Sequence, residues 1–212
     1  MGLLLCALTS ALLLFATATG NAQQPGPKDV DPDQCPLSGT AKSIPNKALN
    51  ILKNRQPAPR PDQIDQTVTL EKMLAPGDDR GRFDEHTGAT IVGWVVKVEQ
   101  GGHPETANCG SMSLFYTDTH ITVGLTPNAT EKETLVVEVT PRWRKAMAAK
   151  GVDWRTEALQ STLTGKQVKF TGWLMFDVDH IGESVNIAPG NPNDWRKTIW
   201  EIHPITAMEV VQ

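Results

Sequence analysis

From residue 90 onward the chain repeats one device: apolar side chains at every second position, in runs separated by Gly, Pro, Asn and Asp. Successive strand side chains point to opposite faces, so such alternation predicts half-buried β-strands. Five runs qualify, at residues 90–99, 118–125, 134–140, 166–177 and 198–210. In the first, Thr90, Val92, Trp94, Val96 and Val98 fall on one side. Thr119, Ile121, Val123 and Leu125 do so in the second, and Val168, Phe170, Leu174 and Phe176 in the fourth. In the last, Trp200, Ile202, Pro204, Met208 and Val210 share the apolar side. Only one long stretch, between the third and fourth runs, has helical character. Thr140 can cap it with Pro141 in the first turn and Gly151 as a stop, and Asp153 can cap a second piece that ends before Gly165. The order β-β-β-α-β-β predicts a mainly β fold, a five-stranded OB-like Greek-key barrel, over residues 67–212.

Ahead of the barrel the texture is different. Residues 23–66 are rich in Pro, Gly and Asp and predict a largely irregular arm. Residues 44–55 can make one short helix, and the alternating prolines of residues 56–63 favour a stiff spacer. Residues 3–16 are an uncharged apolar run that ends in small and polar residues. That is the pattern of a secretory signal peptide over residues 1–22, too short for a comfortable membrane span. Removing it takes Cys6 away and leaves Cys35 and Cys109, which an oxidising compartment would join in a disulfide. The expected address is therefore periplasmic or secreted, with no transmembrane segment in the mature chain. The formal charge of −4 argues against general binding to nucleic acid or anionic membranes, where basic stripes supply most of the affinity.

Several short stretches carry a resemblance. Residues 172–180, G-W-L-M-F-D-V-D-H, are followed by N-P-N-D-W-R-K-T-I-W-E-I-H-P-I-T at 191–206. Together with L-N-I-L-K-N-R at 49–55, M-L-A-P-G-D-D at 73–79 and D-T-H-I at 118–121, they resemble a group of exported bacterial OB-like proteins of unassigned function with a C-terminal W-E-I-H-P motif. The resemblance implies an exported OB-like domain and no particular chemistry.

The polar positions supply the candidate chemistry. Glu201 and His203 share the strand face opposite Trp200 and Ile202, about 7 Å apart at the usual rise. Asp118 and His120 repeat the pattern on the second run, and His180 follows Asp177 and Asp179 after the fourth. If Asp118, His120, His180, Glu201 and His203 converge, they offer the imidazole and carboxylate ligands of a divalent metal such as Zn. Such a metal could activate water, giving a metal-dependent hydrolase on the barrel surface. The plainer reading sets each pair on a solvated sheet face, held by cross-strand carboxylate–imidazole hydrogen bonds. D-x-H and E-x-H are weak patterns, and the sequence has no H-E-x-x-H, paired C-x-x-C or G-x-S-x-G, which favours the plainer reading. His86 and His103 read as solvent-facing loop residues.

Among the tryptophans, Trp94 and Trp200 read as core, and Trp143 and Trp154 as packing the helical segment on the barrel. Trp173, and Trp195 beside Arg196, remain as candidates for stacking on a ligand. The expectation is thus an exported OB-like binding or structural domain whose partner is an unknown small molecule, glycan or protein. The metal-dependent hydrolase is the alternative.

Overall fold

The computed structural model describes residues 29–102 and 104–211, so the expected signal peptide, its Cys6 and the loop residue His103 lie outside the described residues. The five strands are β1 (Gly88–Gln100), β2 (Thr119–Gly124), β3 (Thr134–Val139), β4 (Gln167–Phe176) and β5 (Trp200–Val210). They close into a barrel in the order β1-β2-β3-β5-β4. Every pairing is antiparallel except that of β3 with β5, where Val137 faces Ile202. This is the OB-like barrel that the alternation predicts.

Helix α1 (Ile44–Lys53) lies in the arm, and α2 (Leu70–Leu74) sends Leu70, Met73 and Leu74 into the core. Between β3 and β4 come α3 (Pro141–Ala148) and α4 (Thr156–Leu163). The Thr140 hydroxyl accepts from the Trp143 N–H at 3.4 Å, so α3 is capped as its sequence suggests. Helix α4 starts later than expected. Asp153 accepts from the Arg155 N–H in a tight turn instead of capping the helix, and Arg155 takes the cap position.

The core gathers Ile91, Val95, Ile121, Val123, Val137, Phe170, Leu174, Trp200, Ile202 and Ile205 with Trp143 and Trp154. Burying each large apolar side chain contributes about 1.5–3 kcal/mol, so this cluster is the main source of stability. In β1 the buried face is the opposite of the predicted one. Ile91 and Val95 point inward, Trp94 is half-buried, and Val92 is 42 % exposed. The reason is an irregularity at Val96: Val95 pairs with Val123 and Lys97 with Thr122, so one extra residue switches the face mid-strand. Val98 is then back inside. Strand β5 contains two similar shifts, opposite Gly172, which put Ile205 rather than Thr206 into the core. Gly172 permits this, because a Cβ there would lie 2.3 Å from the Pro204 carbonyl.

The arm lies on the barrel. Cys35 and Cys109 form a disulfide, which ties the arm to the β1–β2 connection. Leu49, Asn50 and Lys53, spaced for one helix face, are the buried residues of α1. Asn50 donates to the Ser38 carbonyl and the Thr106 hydroxyl, and Asn54 to the carbonyls of Leu37 and Ala107 at 3.0 and 2.9 Å. Arg55 then reaches three barrel-side carbonyls, those of Glu85, Leu174 and His203. Among the described residues no helix is long and apolar enough to cross a membrane.

Candidate functional site

Two long connections contribute side chains to one face of the barrel: residues 101–118 between β1 and β2, which bring Glu105 and Asp118, and residues 177–199 between β4 and β5, which bring Asp177 and Arg196. In OB-folds these two loops and the adjoining strand face are where ligands bind. Here that face holds a connected group of ionisable side chains. It is roofed by α1 and the 105–109 segment, which the disulfide and the Asn50 and Asn54 hydrogen bonds stitch together.

The chain of contacts begins at the surface with half-buried His180, whose Nδ1 meets the Asp177 carboxylate. Arg196 lies between Asp177, at 2.9 Å, and Glu201. The other Glu201 oxygen is 3.3 Å from His203 Nδ1, and a Glu138 oxygen is 3.2 Å from the same nitrogen. The second Glu138 oxygen lies 3.2 Å from His120 Nε2. Strand register produces the last two contacts, because His120 stands directly opposite Glu138, and Val137 opposite Ile202 sets the β5 side chains beside it. On the loop side Asn108 Nδ2 donates to Asp118 at 3.0 Å, and Lys53 Nζ lies 4.0 Å from Glu105.

The expectation of a solvated sheet face is therefore corrected. His203 is 0 % exposed and Glu201 and Asp118 are each 1 % exposed, because the arm covers the strand face that alternation alone would leave wet. Asp118, Glu201 and His203 fall in one group, with half-buried His120 at its edge against Glu138. His180 joins only through Asp177 and Arg196, well removed from Asp118 along this chain of contacts.

The stacking expectation is corrected too. Trp173 is 7 % exposed: its Nε1 donates to the Pro57 carbonyl at 2.9 Å and Arg55 lies over its ring, so the arm takes the place of a ligand. Trp195 is half-buried and donates to Glu183 at 2.6 Å, while Arg196 is locked between two carboxylates. His86 is exposed, as its turn position suggests.

Three members of the group escaped the sequence reading. Glu138 was visible as the lone acid in an apolar strand, T-L-V-V-E-V-T. Glu105 and Lys53 gave no such signal, since one lies in a loop and the other ends a polar helix turn.

Burial dominates the electrostatics. It pushes the Glu201 carboxyl up to about 7, with Asp177 adding to the effect and Arg196 opposing it. Burial and then Asp118 push Glu105 to about 7. Glu138 lies well above the ordinary carboxylate range through burial and its neighbours Glu201, Asp118 and Glu105, and burial also raises Asp118. His203 is driven down to about 3, by burial first and the Lys53 charge second. Asp177 is the exception. Burial raises it, but His180, Lys53 and Arg196 together hold it well below the usual range. Burial likewise lowers Lys53, and the attraction of Glu105, Asp177, Glu138 and Glu201 outweighs that and raises it.

Buried atoms that make no hydrogen bond mark where this group is incomplete: Glu105 Oε2, Asp118 Oδ1 and His203 Nε2, with Asp177 Oδ1 and Arg196 Nε on its far side. Asp118, Glu138 and His203 also have one potential ligand atom apiece within 4.8 Å of the others. No protein-family model matches the sequence, and no curated protein matches it.

Proposed function

We propose that this chain is an exported OB-like module that binds a cationic ligand at the covered outer strand face of its barrel. The observation that carries the reading is the charge balance of the buried group. Glu105, Asp118, Glu138, Asp177 and Glu201 outnumber the fixed cations that face them, Lys53, Arg144 and Arg196. Arg144 moreover spends its donors on the carbonyls of Phe115, Thr117 and Trp154 and on the Thr119 hydroxyl. A buried carboxylate without a partner charge is costly, and a bound cation removes that cost.

Binding is favoured over hydrolysis because α1 and the 105–109 segment lie over the imidazole and carboxylates, where a hydrolase substrate would have to enter. Export is supported by the uncharged apolar run at residues 3–16 and by the disulfide, a bond that persists in oxidising compartments. The stretches resembling exported OB-like proteins also furnish Lys53, Asp118, Asp177, Arg196, Glu201 and His203, which supports grouping the chain with them.

A thermal-shift panel tests the reading. Tag-free protein is melted with zinc, manganese, calcium, spermidine and butylamine, and separately with phosphate, sulfate and neutral sugars. A ligand that binds only the folded state raises the melting temperature in proportion to the logarithm of its concentration once above its Kd. At least one cation must do this saturably. A response confined to anions or sugars contradicts the reading.

A further inference from the structure

We propose that Asp118, Glu138 and His203 form a binding site for one divalent first-row transition-metal ion of the zinc class, with Glu201 orienting His203 from outside the coordination shell. The inference rests on the cation-binding reading above and names the ligand of that same site.

Three strands deliver the ligands. Asp118 directly precedes β2, Glu138 lies in β3 and His203 in β5, and these strands are neighbours in the barrel. Their nearest ligand atoms fall within 4.8 Å of one another. Ligands at zinc's usual 2.0–2.2 Å lie about 3.4 Å apart in a tetrahedron, so side-chain rotations complete the site, the chief one turning the Glu138 oxygen from His203 Nδ1 to the ion and leaving that nitrogen to Glu201.

The independent observation is the state of His203. The ring is fully buried, its Nδ1 is 3.2 Å from Glu138 and 3.3 Å from Glu201, and its Nε2 has no partner. A neutral imidazole that donates from Nδ1 keeps its lone pair on Nε2, the form in which histidine binds metal. A carboxylate on the non-ligating nitrogen is the usual device for fixing that tautomer. Glu201 is suited to the role because Arg196 already holds its other oxygen. Asp118 is placed in a similar way, since Asn108 occupies one oxygen and the other, Oδ1, is buried with the Glu105 carboxyl as its neighbour. His120 steadies Glu138 from its outer side.

The donor set selects the ion. One imidazole and two carboxylates match zinc and its first-row neighbours. Calcium asks for six to eight oxygens, more than this group presents.

Tag-free protein is stripped with chelator, dialysed and titrated with zinc by calorimetry, and the loaded protein is measured by zinc X-ray absorption. One zinc per chain is expected, with imidazole scattering in the spectrum. Asp118→Asn and Glu138→Gln are each expected to lower affinity at least tenfold while retaining the circular dichroism of the parent, and calcium is expected not to compete. Absence of stoichiometric zinc binding by the folded parent overturns the site. So does a spectrum without imidazole, or undiminished affinity in both folded variants, which places the ion elsewhere. The spectrum requires no variant, so misfolding of a substituted chain does not blunt the test. If spermidine or butylamine stabilises the protein and zinc does not bind, the metal site fails while the cation-binding reading stands. If no cation binds, both fail.

Discussion

The two faces of β5 make the most instructive comparison in the molecule. Trp200 and Ile202 on one side and Glu201 and His203 on the other are equally buried, at 2 % exposure or less. The first pair enters a barrel core made by the strands themselves, and the second lies under a roof supplied by residues more than ninety positions earlier in the chain. Apolar side chains on the inner face gain from burial directly. Charged ones on the outer face are tolerable only because each touches another, so the two faces should respond differently when a single member is removed.

The largest expected effect is on the polar side. Arg196→Ala leaves Asp177 and Glu201 buried without their shared cation and should cost about 4 kcal/mol in urea denaturation. Leu174→Ala on the apolar side leaves a cavity between β4 and β5 and should cost about 3 kcal/mol, read the same way. A polar variant that costs less than the apolar one would break the comparison, because it would mean that water reaches the group.

Glu105→Gln sharpens the comparison through pH. The folded-state value of Glu105, about 7, lies above its ordinary 4.5, so its protonated form is stabilised by folding. That contribution is present below about pH 4.5 and lost as pH rises through 7. Chelator-treated Glu105→Gln should therefore match the parent at pH 5 and exceed it at pH 8, by an amount on the order of 2 kcal/mol. A difference that does not change between those pH values would contradict the burial of this carboxyl. The smallest effect is expected at the surface. Lys145 pairs with Asp31 and Asp33 where all three are substantially exposed, and Lys145→Ala should change stability by less than about 1 kcal/mol.

Much of the barrel was legible because its signal is local. Alternation at Ile121, Val123, Phe170 and Leu174 fixes the inner face of β2 and β4, and Thr140-Pro141 writes the start of α3. Where alternation misled, a bulge was the cause: the extra residue at Val96 reverses the face of β1 and leaves Val92 outside. The candidate site was half legible for a different reason. Strand period places Glu201 beside His203 and Asp118 beside His120, but says nothing about what covers them. That cover comes from Lys53, Asn50 and Asn54 meeting the 105–109 loop across a long stretch of sequence. A solvated face and a roofed one are written with the same residues, and Trp173 stands as a stacking candidate in the sequence for the same reason, since nothing local announces that the arm covers it.

The claim underlying this account is that His203 belongs to a sealed, charge-rich site. Nitrogen-15 NMR of the imidazole resonances across pH 3–8 tests it most directly, with His203 assigned by comparison with His203→Gln. The expected result is a ring that stays neutral and Nδ1-protonated through pH 5, far below ordinary histidine behaviour, because burial holds it down to about 3. Titration of that ring near 6.5, as for a histidine in water, would contradict the account.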